Sequence, residues 1–335
     1  MKKNNIHDYS ISLIRLIATS FIIMCHFFQY FDIKLAWWFN VGVQIFLCMS
    51  GFLYGRRGII KDEWQFYKKN IVKIMIDYYV VIFLVILFFS VFFPEKLSII
   101  VVLKTFLTNG TLYGGEHLWY IPYCLFCYLI TPFLSRYFNN YKNNIIRYFF
   151  ILCIFSIAVI EGFLNYFNSA WIICYILGFF LGNISVDEKN IKLYNNISLI
   201  IIFLSLFLNL IRVIQSYFLK LDLSGILDFI YFRFCNYAHV FLGVSIFVIL
   251  KFIFSKFFKN NYPIPVKKIC MYSDKYSYDI YLVHQFFILG PFSLMRFTEK
   301  LGINITIILV IMIVSAIFIN LVSNYIRNKL VNIIN

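Results

Sequence analysis

An arginine and a histidine interrupt the first long apolar stretch of the chain, residues 10–31. About 20 apolar residues can cross a bilayer as one helix. An arginine near the bilayer centre costs about 2.5–3.5 kcal/mol, so it should face a cavity or a partner. Arg15 and His26 are eleven residues apart, which on a helix gives nearly the same direction and an axial separation of about 16 Å. We therefore expect a polar site that reaches across the membrane, with a cation near one end and a proton acceptor deeper inside.

Other histidines fall in apolar stretches with polar neighbours at helical spacing. Ser277, Tyr281 and His284 form one stripe of a predicted helix at positions i, i+4 and i+7. His117 begins the polar and aromatic segment HLWYIPY, and His239 lies in a later apolar stretch. A snorkelling arginine and hydrogen-bonded buried histidines would also explain such residues without any chemistry, and we expect that structural role for His239. The second buried histidine, His284, favours a functional site.

The composition places the chain among integral membrane proteins. Of its 335 residues, 62% are hydrophobic, 21% aromatic and 13% charged, which lies outside the range of soluble globular domains. We predict an all-α fold, a polytopic transmembrane helical bundle that forms one domain over residues 1–335, with a re-entrant or interfacial segment at 97–107. About ten spans are expected, at residues 10–31, 37–55, 71–93, 118–136, 145–164, 169–183, 197–217, 231–254, 277–292 and 303–326.

The lysines and arginines indicate how the chain is oriented. With the N-terminus in the cytoplasm, 21 of the 30 fall on the cytoplasmic side and eight on the other, with Arg15 inside the first span. By the positive-inside rule, both termini therefore face the cytoplasm. The net charge of +15 follows from this topology and from contact with anionic lipid. Because the basic residues are divided among loops and form no single patch, we expect no nucleic acid partner.

The eight cysteines do not indicate a metal or redox site. Seven lie in apolar stretches, where cysteine packs as a small hydrophobe. The CxxC pair, Cys124 and Cys127, has no second CxxC or histidine pair nearby in the sequence. The sequence also contains no P-loop, Rossmann fingerprint or HExxH motif. We therefore expect no bound cofactor and no metal.

Five segments resemble the motifs of the acyltransferase 3 family of integral membrane acyltransferases. In the family's order, they are similar to its helix 1 arginine–histidine motif, its second-helix signature closing on Ser-Gly-Phe, the basic entry to its third helix, its His-x-Trp segment and its Ser-x-x-x-Tyr-Leu-x-His segment. In this sequence they read SLIRLIATSFIIMCH, GVQIFLCMSGFL, FYKKNIVKIMIDYY, HLWYIPYCLFCYLITPFL and YSYDIYLVH. Two features depart from the family pattern. Ser12 stands where an acidic residue is usual, and Asn70 and Lys73 stand where the third helix often begins with an Arg-x-x-Arg pair.

The resemblance implies transfer of an acyl group, commonly acetyl, from cytoplasmic acyl-CoA to a hydroxyl of an envelope or capsular polysaccharide or its lipid-linked precursor. It implies a multi-pass protein of a bacterial-type plasma membrane that uses acetyl-CoA as a donor substrate. The expected catalytic residues are His26 as general base, Arg15 at the CoA moiety or the thioester oxyanion, and His284. His284 would orient His26, protonate the leaving thiolate or hold the acceptor. The expected substrate-binding residues are Ser50, His117, Trp119, Ser277, Tyr281, Arg56, Arg57, Lys69 and Lys73.

Two other classes of protein fit part of the sequence. A transporter or flippase for a sugar-linked or anionic substrate would also have about ten spans and buried ionisable groups. Transporters, however, tend to contain repeated halves with matching Gly- or Pro-broken helices. Pro122 and Pro132 in the fourth span and Pro291 at the end of the ninth have no such counterparts. A non-catalytic sensor or scaffold is the remaining alternative, and the acyltransferase is the preferred interpretation.

Overall fold

A computed structural model describes residues 7–108, 112–141, 143–164, 168–258 and 262–334, and these residues form helices and turns without any strand. Short 3-10 turns lie at Pro94–Lys96, Glu116–Trp119 and Glu188–Asn190, and a π-helix at Ile214–Leu219. The twelve α-helices of the described residues are α1 (Tyr9–Tyr30), α2 (Ala36–Phe39), α3 (Gly42–Gly55), α4 (Glu63–Phe92), α5 (Ile99–Phe106), α6 (Tyr120–Asn140), α7 (Asn144–Leu164), α8 (Ala170–Ile184), α9 (Ile191–Val213), α10 (Ile226–Phe258), α11 (Ile264–Ile288) and α12 (Leu301–Ile334).

The helices are grouped in two compact units, each built from three stretches of the chain. Helices α1 and α6 contribute residues to both units. The first unit consists of Met1–Ala18, Asn40–Lys61 and Ile130–Ile264. The second consists of Thr19–Phe39, Asp62–Leu129 and Pro265–Asn335. The expectation of one domain over residues 1–335 stays a prediction.

The predicted fold class, an all-α membrane protein, is confirmed. Each of the ten predicted stretches overlaps a helix, although the count of ten spans and the cytoplasmic position of the termini stay predictions. Helix α8 is apolar but only 15 residues long. The helical segments of the described residues that are long and apolar enough to cross a membrane number seven: Tyr9–Tyr30, Ala36–Gly55, Glu63–Phe92, Glu116–Asn140, Glu188–Leu219, Ile226–Phe258 and Leu301–Leu330.

Several predicted boundaries were wrong. The ninth predicted stretch, 277–292, belongs to a helix that begins at Ile264 and ends at Ile288. The first turns of this helix carry four charged residues, Lys267, Lys268, Asp274 and Lys275. Apolar length alone therefore predicts a later start. The second predicted span, 37–55, matches the segment Ala36–Gly55, in which a turn separates α2 from α3. The seventh, 197–217, is exceeded at both ends, because α9 begins at Ile191 and the π-helix ends at Leu219. The segment expected to be re-entrant or interfacial contains α5, which at eight residues is too short to cross a bilayer.

Helices α3 and α8 of the first unit approach each other through glycines spaced four residues apart. Helix α3 carries Gly51 and Gly55, and α8 carries Gly178 and Gly182. A Cβ atom on any of the four would overlap backbone atoms of the other helix. Small residues at this spacing allow the backbones of membrane helices to come into contact. Packed against α3, α7, α9 and α10, helix α8 has almost every side chain buried.

The start of α1 is tied to α3 and α10 through Asp8. In the first unit, Lys251 Nζ lies 2.7 Å from Asp8 Oδ2, and Arg56 Nη1 lies 2.9 Å from the same oxygen. Burial alone would raise the pKa of the Asp8 carboxyl, but the charge of Lys251 and hydrogen bonds from Lys251, Ser10 and Arg56 lower that pKa to about 2. The carboxylate is therefore ionised at neutral pH and fixes the first turn of α1.

A chain of hydrogen bonds joins α4, α11 and α12 in the second unit. Arg327 donates to Asp77 Oδ1 and to Asn324 Oδ1, both at 2.9 Å. Asn324 donates to Asn320 Oδ1 at 2.9 Å, and Asn320 donates to Asp279 Oδ2 at 3.1 Å. The three α12 residues lie three or four positions apart, so they share one face of that helix. Arg327 bonds to the carboxylate of Asp77 on α4, and Asn320 bonds to that of Asp279 on α11. Both carboxylates thus have a partner, without which a buried charge is costly.

We expect Gly178→Ala to destabilise the protein, although the same change stabilises an ordinary helix by about 1 kcal/mol. The added Cβ would overlap the backbone of α3 at Cys48, and overpacking costs about 1–3 kcal/mol. The midpoint of thermal unfolding in detergent measures the effect. Gly302→Ala is the matched control, because a Cβ there has no atom within 4 Å. Equal midpoints for the two variants would contradict the close helix contact.

Candidate active site

Three histidines of the second unit are brought together although they lie far apart in the sequence. His26 comes from α1, His117 from the 3-10 turn before α6, and His284 from α11. The ring centroids of His26 and His284 are 4.8 Å apart, and those of His117 and His284 are 4.9 Å apart. The centroids of His26 and His117 are 6.4 Å apart. Two of the three expected catalytic residues therefore lie beside an expected substrate-binding residue.

Backbone carbonyls determine which nitrogen carries the hydrogen in two of the rings. His284 Nδ1 lies 2.6 Å from the carbonyl oxygen of Tyr281, and His117 Nε2 lies 3.1 Å from that of Leu282. A carbonyl oxygen only accepts, so each of these nitrogens donates its hydrogen. In the neutral imidazole, the opposite nitrogen then carries a lone pair. That nitrogen is Nε2 in His284 and Nδ1 in His117.

Neither lone pair has a hydrogen-bond partner among the described residues. Both side chains are buried, with 0% of His284 and 4% of His117 exposed. Leaving a buried acceptor unpaired costs about 1–3 kcal/mol, so such atoms are uncommon in folded proteins. Here two unpaired acceptors lie in neighbouring rings. The O–H or N–H groups of a ligand can donate hydrogen bonds to such atoms. In the described part of the chain, no group of three His, Cys, Asp or Glu side chains is arranged to hold a metal ion.

His26 is half-buried and has a different partner. Its Nδ1 lies 2.6 Å from Oε1 of Gln29, three residues later on α1. With the amide oxygen accepting from Nδ1, the lone pair of the neutral ring is on Nε2. The sequence analysis missed Gln29, and its spacing of i+3 from His26 was the signal that could have identified it.

The turn that carries His117 is fixed to α11 by contacts that the sequence analysis also missed. Gln285 Nε2 donates to Glu116 Oε2 at 2.7 Å. The hydroxyl of Tyr281 donates to the carbonyl oxygen of His117. Together with the bond from His117 to Leu282, these contacts join the turn to α11 through three hydrogen bonds. These hydrogen bonds within the protein therefore fix the position of His117 relative to His284.

A family model described as an acyltransferase domain matches residues 8–324, nearly the whole chain. The chain belongs to this acyltransferase family. No curated protein and no solved structure matches it significantly. The resemblance stated from the five sequence motifs is thereby confirmed, and the three histidines lie within a membrane acyltransferase.

The acyltransferase carries two more expected residues on α11 and one in the turn. Ser277 and Tyr281 are buried on α11, each 5% exposed. The ring centroid of Tyr281 lies 5.6 Å from that of His284. Trp119 is half-buried in the same 3-10 turn as His117. The expected stripe on α11 is therefore present, and its tyrosine also contacts the histidine turn.

The cations expected to bind the donor are exposed. Arg56 and Arg57 follow α3 in the first unit, and Lys69 and Lys73 lie on α4 in the second. Arg56 is already engaged with Asp8. The acyltransferase therefore has accessible positive charge in each unit, but the charge of Arg56 is partly compensated.

Arg15 and Ser50 are half-buried residues of the first unit. Arg15 shares α1 with His26, but the two residues belong to different units. His239 lies elsewhere in the first unit, where its Nδ1 accepts from Nη1 of Arg212 at 3.3 Å. Arg212 is completely buried. This contact fits the structural role expected for His239.

We expect Gln29→Leu to reduce acyl transfer by roughly fivefold to tenfold, because one hydrogen bond that holds His26 contributes about 1 kcal/mol. Gln29→Glu keeps an acceptor for His26 Nδ1 and should restore most of the activity. Initial rates with a radiolabelled acyl donor measure both variants. Gln215→Leu is the matched control, because Gln215 donates only to the carbonyl of Leu221 in the first unit. Equal losses in Gln29→Leu and Gln29→Glu would show that Gln29 does not position His26 through this bond.

Proposed function

We propose that this acyltransferase moves an acyl group, with acetyl as the first candidate, from cytoplasmic acyl-CoA to a hydroxyl of an envelope carbohydrate. Membership of the family supports acyl transfer. The observation that carries the finer proposal is the group of three imidazoles with two open lone pairs. A sugar or its lipid-linked precursor presents several neighbouring hydroxyls, which are the donors that such acceptors require.

His26 is the proposed general base. Its ring is the least buried of the three, and the bond to Gln29 leaves Nε2 as the basic nitrogen. Nε2 would take the proton of the attacking hydroxyl while the hydroxyl oxygen bonds to the thioester carbonyl carbon. The C–S bond then breaks, the CoA thiolate leaves, and the proton passes from His26 to the thiolate or to solvent. Imidazole suits this step because it titrates near neutral pH.

His284 and His117 are proposed to hold the acceptor. Each would accept a hydrogen bond from a hydroxyl of the sugar that is not being acylated, at Nε2 and Nδ1 respectively. Trp119, in the same turn as His117, offers an aromatic face for the sugar ring. Ser277 and Tyr281 would complete the wall of the site on α11. Direct transfer needs no covalent intermediate on Ser277 or on Ser50, and we propose that route.

The donor is proposed to bind through cations. Its phosphates are matched by guanidinium and ammonium groups, and Arg57, Lys69 and Lys73 are exposed, with Arg56 contributing alongside its bond to Asp8. Arg15 would bind the diphosphate or pantetheine of CoA. Its separation from His26 along α1 is about 16 Å, which is too long for both side chains to act on one carbonyl carbon.

The protein is a multi-pass membrane protein, and we propose that it lies in the plasma membrane of a bacterial-type cell. The family match favours an acyltransferase over the transporter and the non-catalytic sensor.

We expect His26→Ala to lower acyl transfer by roughly 10²–10⁴-fold, since a positioned general base contributes that much. Purified protein is incubated with acetyl-CoA labelled in the acetyl group, and label is followed into envelope polysaccharide. His239→Ala is the control, because His239 is also a histidine on a long helix but is buried and contacts Arg212 instead. The His26→Ala variant should insert and purify normally, and His239→Ala should have a much smaller effect on transfer. Equal losses, or no transfer of label by the wild type to any envelope carbohydrate, would overturn the proposal.

We expect Arg15→Lys to raise the KM for acyl-CoA with a modest loss of kcat. Lysine keeps the charge but not the planar fork that contacts phosphate through two bonds. Steady-state kinetics with varied acyl-CoA separates this role from stabilisation of the oxyanion, which would lower kcat and leave KM nearly constant. An unchanged KM with a sharply reduced kcat would show that Arg15 acts at the reacting carbonyl.

A further inference from the structure

An apolar groove of about 530 Å³ runs between α4 and α12 in the second unit. Ile76, Val80 and Phe83 line it from α4, and Val322, Ile326 and Leu330 line it from α12. Several of these side chains are exposed, Phe83 to 62%. Tyr79 also contributes its ring, while its hydroxyl donates to the carbonyl of Phe106 at 3.3 Å. The surface of the groove is therefore hydrocarbon, and it is accessible from outside the unit.

The length of the groove matches one leaflet of a bilayer. Its lining on α12 extends from Phe318 to Leu330, which is about 18 Å at 1.5 Å per residue. Half of the hydrocarbon core of a bilayer is about 15 Å thick. A single fatty acyl chain of one leaflet would follow the groove along its length, whereas a polyprenyl chain long enough to cross both leaflets would not be contained.

Positive charge is concentrated at one end of this groove. Lys73 lies one turn before Ile76 on the same face of α4, and Lys329 lies between Ile326 and Leu330 on α12. Both lysines are exposed. The ammonium of Lys329 lies over the ring of Tyr325, 5.0 Å from its centroid.

Arg327 fixes the two helices at the level of these lysines. It donates to Asp77 at 2.9 Å and to the backbone carbonyl of Lys73 at 3.3 Å. The charge of Arg327 is therefore compensated by Asp77. Lys73 also interacts electrostatically with Asp77, but its side chain is exposed, as is that of Lys329, so both ammonium groups are accessible to an anion.

We propose that this groove binds one anionic glycerophospholipid of the surrounding leaflet. One acyl chain lies between α4 and α12, and the headgroup phosphate lies between Lys73 and Lys329. The positive-inside rule assigns this end of both helices to the cytoplasm, and the cytoplasmic leaflet carries the anionic lipids. The apolar groove thus matches the acyl chain of the lipid, and the two lysines match its headgroup phosphate.

The inference is independent of the proposed acyl transfer. Lys73 is also one of the cations expected to bind acyl-CoA, and the two roles are separated by measuring lipid binding without any donor present. A protein that binds the lipid but transfers no acyl group would refute only the proposed function. A protein that transfers the group but does not prefer an anionic lipid would refute only this inference.

The test compares phosphatidylglycerol and phosphatidylcholine with identical acyl chains. Each lipid is titrated into the delipidated full-length protein in detergent, and the bound lipid is counted by native mass spectrometry. Each lysine near an anionic group contributes about fivefold in affinity, so the double variant Lys73→Gln/Lys329→Gln should bind phosphatidylglycerol about 30-fold more weakly. Its affinity for phosphatidylcholine should change little. Val322→Trp, which fills the groove, should remove the binding of both lipids at this site.

Two matched controls come from other lipid-facing helices. Lys192→Gln/Lys256→Gln removes two exposed lysines, and Lys256 lies over Phe252 much as Lys329 lies over Tyr325. Leu206→Trp places the same indole ring on an exposed face of α9. Both controls should bind phosphatidylglycerol as the wild type does. Equal wild-type affinity for the two lipids, or equal loss in the lysine variants and their control, would overturn the proposal. Displacement of phosphatidylglycerol by polyprenyl phosphate at lower concentration would overturn the assignment of the occupant.

Discussion

Polar groups within the hydrocarbon have no water to bond, so they must find their partners inside the protein. The arrangement of α4, α11 and α12 follows from this constraint, because Arg327, Asn324 and Asn320 carry a chain of hydrogen bonds from one buried carboxylate to another. The chain ends at Asp279 on α11, the helix that also carries His284. Within the group of three histidines, the constraint is not met at Nε2 of His284 and Nδ1 of His117, where a hydrogen bond fixes the opposite nitrogen of each ring. Those unpaired atoms are the feature on which the proposed binding of a donor-rich ligand rests.

Apolar length and charge were enough to predict the helices that face lipid, because such helices need long apolar surfaces. They were less informative where a helix carries several charged residues. The first turns of α11 contain four charged residues and are helical nonetheless, so the predicted start was late. Helix α8 presents the opposite case. It is short, and its burial depends on glycines in α3 as well as on its own Gly178 and Gly182, so no local property of its sequence determines where it packs.

The candidate site was predictable where it depends on one helix and not where it depends on contacts between elements. The stripe of Ser277, Tyr281 and His284 follows from helical spacing alone. The proximity of His117 does not, because it requires a turn to dock on α11. That docking needs Gly114, whose φ is +80° and where a Cβ would overlap Pro291. Glycine accepts this backbone conformation without strain, but nothing in the sequence indicates that the segment packs against a proline far along the chain.

The crowding of the three rings also limits how many protons they can carry. Two imidazolium charges 4.8 Å apart would repel each other by roughly 3 kcal/mol at an effective dielectric constant of 20. A second proton on the group is therefore disfavoured by about a factor of 100 or more. We therefore expect the group to hold at most one proton at a time. In the proposed transfer, the base takes one proton from the attacking hydroxyl and returns it to the leaving thiolate, so a group that holds one proton at a time is sufficient, and the other two rings stay neutral with their lone pairs available for hydrogen bonds.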